Sequence, residues 1–146
     1  MQIRRIREND REDYISLVKT FYDTDAVMHP IPEKYITDTF QELMRCDTFA
    51  RCYIFEHEGK IAGYALTART FSQEAGGLCV FVEEVFVLPE YRSMGFGSEF
   101  FSYLMRDEPD VKRLRLEVEE ENPRAIALYK RMGFNFLEYL QMYKEV

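Results

Sequence analysis

The stretch EEVFVLPEYRSMGFG, residues 83–97, decides the fold of this 146-residue chain. Its first six residues are the end of an apolar run over 80–88 that is interrupted only by Glu83 and Glu84, and such a run predicts a buried strand. A turn with a proline follows, and the pattern RxxGxG at 92–97 then leads directly into a helical pattern. Strand, glycine turn and helix in this order are the context that a phosphate-binding loop requires.

The turn at 92–97 offers main-chain donors to an anion. Its two glycines allow the backbone to approach a ligand closely, and a helix that begins near Gly95 directs unpaired N–H groups and the positive end of its dipole outward. No Gly-Lys-Ser/Thr follows, which excludes a Walker loop, and the pattern is not a complete GxGxxG dinucleotide fingerprint. Taken alone, the turn leaves a phosphate site and a purely structural role equally open.

A second motif, Asn122-Pro123-x-Ala125-x-x-x-Tyr129, precedes Gly133 near the end of the chain. Asn122 and Pro123 suit the N-cap and first turn of a helix, and Gly133 suits its C-terminal end. Ala125 and Tyr129 are four residues apart and share one helix face, so a ligand could lie against Ala125 and meet the Tyr129 hydroxyl. The alternative is that Tyr129 only packs.

Composition limits the classes of function. The formal net charge of −7 and the absence of a basic stripe argue against nucleic-acid binding. An acidic surface concentrates cationic substrates, although it equally serves solubility. The three cysteines and two histidines lack the spacing of metal ligands, which predicts no metal site. The cysteines form no CxxC and leave one unpaired in any disulfide scheme, which favours a reducing compartment. No apolar run approaches the roughly 20 residues of a membrane span, so we expect a cytoplasmic protein with no membrane partner.

The order of predicted elements describes one domain over residues 1–146. Helical spacing predicts four helices, and alternating or continuous apolar runs predict strands between them. The predicted helices cover about 10–21, 33–44, 96–105 and 122–132, with a loop over 23–32; the predicted strands cover 2–7, 52–56, 61–69, 78–88 and 113–118, and the tail over 134–146 reads as two short strands or a hairpin. This order gives a mixed sheet with helices on both faces.

The two motifs together resemble the GNAT N-acetyltransferase superfamily. EEVFVLPEYRSMGFGSEFFSYL is followed by ENPRAIALYKRMGF in the order and structural context of that family, and FVEEVFVLPEYRSMGFGSEF is most similar to its polyamine branch. The resemblance implies an α/β fold, with a central mixed sheet of six to seven strands flanked by about four helices. It also implies acetyl-CoA as the co-substrate.

The resemblance assigns three groups of residues to the cofactor. The turn would bind the pyrophosphate of coenzyme A through its main-chain amides, the end of the strand would bind the pantetheine arm, and the last helix would contribute further contacts. These residues are Arg92, Ser93, Met94, Gly95, Phe96, Gly97 and Ser98 in the turn, Val85, Phe86 and Val87 in the strand, and Asn122, Ala125, Tyr129 and Lys130 at the last helix, where Lys130 is a candidate for the 3′-phosphate.

The resemblance also implies direct attack of a primary amine on acetyl-CoA in a ternary complex. It puts Glu83 at the base position, Glu84 at the adjacent acidic position, and Tyr129 at the position of the acid that protonates the departing thiolate. Because neighbouring strand residues face opposite sides, only one of the two glutamates is expected to reach the site directly. The structural alternative is an ion pair of either glutamate with Arg113 or Arg115 on the next strand.

The acceptor is open to several interpretations. A small cationic amine such as a polyamine fits the branch, whereas loop 70–77 lacks the tryptophan found in some polyamine acetyltransferases. The alternatives are a peptide or protein N-terminus, an aminoglycoside, and a non-catalytic module that binds acyl-CoA. A homodimer is also open, since the aromatic tail over 134–146 can form an interface strand or the closing edge of the core.

Overall fold

The computed structural model describes residues 1–25, 27 and 29–146; Ala26 and Met28, within the loop predicted over 23–32, lie outside the described residues. The elements form one sheet with four helices in the described residues, which confirms the predicted α/β class. They are β1 (Gln2–Arg5), α1 (Arg11–Tyr22), α2 (Glu33–Arg45), β2 (Ala50–His57), β3 (Lys60–Ser72), β4 (Gly77–Val87), α3 (Phe96–Asp107), β5 (Arg113–Leu116) and α4 (Pro123–Arg131).

The strands form one mixed sheet in the order β1-β2-β3-β4-β5. All neighbouring pairs are antiparallel except β4 and β5, which are parallel and are connected through α3. None of the helices in the described residues is long and apolar enough to cross a membrane.

Two hydrophobic layers cover the sheet, one on each face. The helical spacing of Tyr14, Val18 and Phe21 buries α1 on the first face, together with α2. Phe100 and Leu104 of α3 are buried on the second face, where α4 also packs. The periodicity that predicted these helices therefore also fixes which sides of them meet the sheet.

Strand β4 lies between β3 and β5, and only its first half is paired on both edges. The parallel pairs with β5 join residues 79–82 to residues 113–116 and end there, whereas pairing with β3 continues to Val87. The predicted strand over 113–118 is thus shorter by two residues. Among the described residues, no strand lies along the β5 side of residues 83–87.

A β-bulge in β4 changes the direction of its side chains at Glu83. Leu66 of β3 pairs with Glu84 and Thr67 pairs with Val82, so Glu83 is the extra residue. Val82 and Val85 both pack in the layer under α3 and α4. Alternation on either side of the bulge therefore turns Glu83 and Glu84 toward the α1/α2 face together, and the prediction that they face opposite sides is wrong.

The sheet has five strands in the described residues, fewer than the six to seven expected. The tail, residues 134–146, contains none, and its apolar side chains are largely solvent-exposed; Leu140 and Met142 are each 96% exposed. Phe134 is the one residue of this segment that is partly buried, and it packs against Phe101 and Tyr129. An apolar pattern favours a strand only where a backbone partner is available, and the tail makes no such ladder.

Candidate active site

The free edge of β4 presents main-chain donors. The N–H of Leu88, directly after β4, donates to the carbonyl of Ala62 at 2.9 Å on the β3 side. Successive N–H groups of a strand point to alternate edges, so the amides of Val87 and Val85 point away from β3. They face the side where pairing with β5 has ended, so no strand among the described residues pairs with them there.

The turn at 92–97 closes one end of this edge. Gly95 has φ +90° and precedes the first residue of α3, and Ser93 has φ +66°, a left-handed conformation that is uncommon outside glycine. The Nε of Arg92 donates to the carbonyl of Val87 at 3.1 Å, which ties the turn to the free edge. Phe96 is buried and stacks on Phe55, so it offers a ligand only its main chain.

The two glycines of the turn have different physical roles. Gly95 adopts a backbone conformation that a side chain disfavours. At Gly97, a Cβ atom would lie 2.7 Å from Cδ2 of Leu128 on α4. Gly97 is therefore needed for the packing of α3 against α4, whether or not a ligand lies nearby.

Helix α4 is joined to the turn by a residue that the sequence analysis missed. Asn122 caps the helix as predicted, since its Oδ1 accepts from the N–H of Ala125 at 3.1 Å. The guanidinium of Arg124 donates to the Ser93 hydroxyl. A cation in the first turn of a helix is disfavoured by the dipole, and that signal could have marked Arg124 as a functional candidate. Lys130 lies over the ring of Phe136 at 5.1 Å.

Tyr129 lies on the α3/α4 face of the sheet. Its ring packs edge-on against Phe101 and Phe134, each with centroids 5.9 Å away. Burial raises the pKa of the Tyr129 hydroxyl, so it keeps its proton at neutral pH and can act as a donor. Tyr129 also lines a groove of about 680 Å³ between β5, α4 and the tail, which neither Glu83 nor Glu84 lines.

Glu84 is held by two tyrosines on the opposite face. Tyr22 donates to its Oε1 at 2.7 Å, and Tyr64 donates to its Oε2 at 2.6 Å. Burial, and then the neighbouring Glu84, raises the pKa of both hydroxyls, so each stays protonated as a donor. Both tyrosines fit the apolar patterns of their elements, and nothing in the sequence distinguishes them from core residues.

Glu83 is in a different environment from Glu84. Within the described part of the chain, no hydrogen bond or ion pair reaches it. It is solvent-accessible as a residue, yet partial burial of the carboxyl raises its pKa, and the negative charges of Glu84 and Glu117 raise it further. The two carboxylates therefore differ in their partners although they share one face.

The alternative that Glu83 and Glu84 are structural ion-pair partners is wrong. Arg113 pairs with Glu74 at 3.3 Å, and Arg115 lies over the ring of Phe81 at 5.7 Å. The structure thus brings Glu83, Glu84, Tyr22 and Tyr64 together on the α1/α2 face. Tyr129 lies on the other face, and the free edge of β4 runs between the two.

Comparisons with known proteins agree with this architecture. Residues 8–134 match the model of the acetyltransferase (GNAT) family. The chain is 24% identical to the thialysine N-epsilon-acetyltransferase of Mus musculus over 90% of this chain and 82% of the mouse protein. It is 26% identical to a putative [ribosomal protein bS18]-alanine N-acetyltransferase of Bacillus subtilis (strain 168), over 77% of this chain and 70% of that protein.

A solved structure shares the fold at lower identity. The aminoglycoside N-acetyltransferase AAC(6')-Iy, in complex with a bisubstrate analogue, has a TM-score of 0.81 and 18% identity over 99% of this chain and 97% of that one. The family match covers the free edge, the turn and α4 in a single span. The chain therefore belongs to the acetyltransferase (GNAT) family and is an N-acetyltransferase that uses acetyl-CoA.

Proposed function

We propose that this protein transfers the acetyl group of acetyl-CoA to the primary amine of a small cationic acceptor, with Glu83 as the base and Tyr129 as the acid. The observation that carries the proposal is the β-bulge, because it turns Glu83 and Glu84 to one face directly beside the free edge of β4. Two carboxylates at such a position suit a cation whose proton must be removed.

The residues present fit acetyl-CoA. The outward amides of Val85 and Val87 can bind the pantetheine arm in place of a neighbouring strand, and the same amides can polarise a carbonyl oxygen. The turn at 92–97 and the N-terminus of α3, a twelve-residue helix, can bind the pyrophosphate, with Arg124 nearby as a cation. Bound acetyl-CoA supplies the acetyl group as a thioester.

Glu83 is the better of the two candidates for the base. Both oxygens of Glu84 already accept tyrosine hydrogen bonds, whereas Glu83 has no such partner in the described residues. A primary amine with a pKa of about 10 is protonated at neutral pH, so a base must take its proton before it attacks. The raised pKa of Glu83 makes its carboxylate a stronger proton acceptor at that pH.

Tyr129 supplies the second proton transfer. A thiolate is the leaving group of a thioester, and a neutral phenol is a suitable donor to it. The raised pKa of Tyr129 ensures that the proton is present when it is needed. The residue lies on the α3/α4 face, so it stands on the side of the free edge of β4 opposite to the glutamates.

The acceptor class follows from charge and from the relatives. The formal charge of −7 and the paired carboxylates favour a cationic amine over a neutral alcohol. The matched relatives are named for the N-epsilon amine of thialysine and for the alanine of a ribosomal protein, and the structural neighbour for an aminoglycoside. All three acceptors have an amine, and we favour the small diamine or lysine-like class. A protein N-terminus or an aminoglycoside is the alternative.

The test is thiol release from acetyl-CoA by the purified protein with spermidine, short diamines, thialysine, an aminoglycoside and peptides with free N-termini. We expect release with the small cationic amines. Release with peptides alone would replace the acceptor class and keep the mechanism. No release with any acceptor, combined with measurable acetyl-CoA binding, would instead favour a non-catalytic acyl-CoA-binding module.

The exposed tail supports a further part of the proposal, a homodimer. Large apolar side chains over 136–146 are exposed to solvent, and such patches often mark interfaces. Light scattering at micromolar concentration tests this point. A dimer that dissociates when Leu140 and Met142 are both changed to Ser is expected, and a monomeric wild-type protein contradicts it.

A further inference from the structure

The two tyrosines that bind Glu84 come from separate elements. Tyr22 is the last residue of α1, and Tyr64 lies in the middle of β3, where it has no exposed surface. Each donates to a different oxygen of Glu84. The carboxylate is therefore fixed from two directions. A glutamate at a solvent-accessible bulge does not require two such donors if its role is purely structural.

The bound carboxylate still has acceptor capacity. Each oxygen of a carboxylate offers about two lone-pair sites, and the tyrosines use one on each. Glu84 can thus accept further hydrogen bonds in a direction that the tyrosines determine. An ammonium group has three donors and a full charge, so it suits a pre-oriented carboxylate better than a neutral hydroxyl does.

The two tyrosines belong to a cluster of packed aromatic rings on the same face. Phe21 packs edge-on against Tyr22 at 5.3 Å, and its ring lies 5.6 Å from that of Phe86. Tyr64 and Phe86 are 6.3 Å apart. Because Phe21, Tyr64 and Phe86 are buried, this packing fixes the positions of the two hydroxyls that bind Glu84.

We infer that Tyr22 and Tyr64 are positioning residues that orient Glu84 toward the cationic amine of the acceptor. Glu84 then selects and holds the ammonium form, and Glu83 takes its proton. The two glutamates have different roles, because the Glu84 carboxylate accepts hydrogen bonds from both tyrosines and the Glu83 carboxylate has no hydrogen bond among the described residues. This inference rests on the proposed function and names the residues that determine its acceptor class.

The kinetic test uses Tyr22→Phe and Tyr64→Phe, with spermidine and thialysine as acceptors. Each variant removes a hydroxyl that binds a charged group, so the KM of the amine should rise about tenfold or more. The kcat and the KM of acetyl-CoA should change less than about twofold, since binding is lost without loss of the chemical groups. Tyr14→Phe is the matched control, because Tyr14 is a buried tyrosine of the same layer that makes no bond to Glu84.

An unchanged amine KM in both variants would overturn the inference. So would an equal change in Tyr14→Phe, since that result would indicate general disturbance of the core. Tyr64 is fully buried, and its variant could fold poorly; Tyr22 is only half-buried and provides the same test at the end of a helix.

A binding measurement separates this inference from the proposed function. Thermal unfolding of the CoA-saturated protein is measured with and without spermidine or thialysine. If the amines stabilise the wild type but not Tyr22→Phe and Tyr64→Phe, the inference is supported even when no thiol is released. The absence of thiol release would then reject only the proposed reaction. A wild-type protein that is neither stabilised by these amines nor active on them overturns both.

Discussion

The two halves of β4 differ in their pairing with neighbouring strands and in the side chains that they carry. Residues 79–82 are paired on both edges, and Val80 and Val82 among them are buried. Residues 83–87 contain a bulge, two carboxylates and one edge without a strand in the described part of the chain. Paired backbone has no donors left for a ligand, and we therefore propose that the reaction takes place where pairing with β5 ends.

This difference explains how one strand serves both stability and catalysis. The first half connects β3 to β5 and is closed to solvent and ligand. The second half is paired with β3 alone, and its outward amides are those that we propose bind the co-substrate. The predictions that follow break or sharpen this contrast, beginning with the largest expected effect.

Glu83→Gln should lower kcat/KM by about a thousandfold, because the amine then has no base beside the free edge. The dissociation constant of acetyl-CoA, measured by calorimetry, should stay within about twofold, since the main-chain amides are unchanged. Glu145→Gln, an exposed change in the tail, is the control and should have wild-type activity. If kcat/KM decreases by less than about threefold in Glu83→Gln, then Glu83 is not the base.

Tyr129→Phe should lower kcat by about a hundredfold while acetyl-CoA affinity is retained, because only the proton donor is removed. Tyr103→Phe is the matched control, as Tyr103 is a partly buried tyrosine on the same face of the sheet. Steady-state kinetics at saturating acetyl-CoA provides the measurement. Equal kcat values for the two variants would argue that Tyr129 only packs.

Gly63→Ala should destabilise the protein by about 2 kcal/mol, because overpacking beside a fixed backbone has a cost of that order. A Cβ at Gly63 would lie 2.1 Å from the carbonyl oxygen of Phe86, in the second half of β4. Gly97→Ala is the comparison, since its Cβ would meet the flexible side chain of Leu128 and should cost less. Urea unfolding measures both free energies, and a smaller loss for Gly63→Ala would contradict this account of the β3–β4 contact.

The pH dependence should show the smallest effect. The base must be ionised and its pKa is raised, so the acid limb of kcat/KM should lie above the usual range of a glutamate. Glu117→Gln removes one of the negative charges that raise this pKa, so the limb should move to lower pH. Glu74→Gln, whose carboxylate pairs with Arg113 near the first half of β4, should leave the limb unchanged. A limb that moves upward in Glu117→Gln would contradict the assignment.

Local patterns in the sequence predicted much of the fold. The strand, the turn and the helix over 83–97 follow from an apolar run, two glycines and helical spacing, all of which act over a few residues. The helix N-cap at Asn122 likewise depends only on residues close to it in the sequence. These predictions are confirmed because each depends on short-range preferences that the tertiary structure reinforces.

The rest depends on contacts between distant residues. The bulge at Glu83 is a register shift between β3 and β4, and no pattern within β4 alone records it. Tyr22 and Tyr64 become partners of Glu84 only when α1 and β3 are brought together. The prediction of two short strands or a hairpin in the tail over 134–146 is wrong. Its apolar residues suggest strands, but a strand requires a backbone partner, and this segment has none among the residues that the structure describes.

Amide hydrogen exchange with and without coenzyme A tests the contrast within β4 most directly. The amides of Val85 and Val87, and those of the turn at 92–97, should become strongly protected when coenzyme A binds. Those of residues 79–82 should change little, because their hydrogen bonds to β3 and β5 are already formed. Equal protection of both halves, or protection confined to the first half, would contradict the central claim that the free edge of β4 holds the co-substrate.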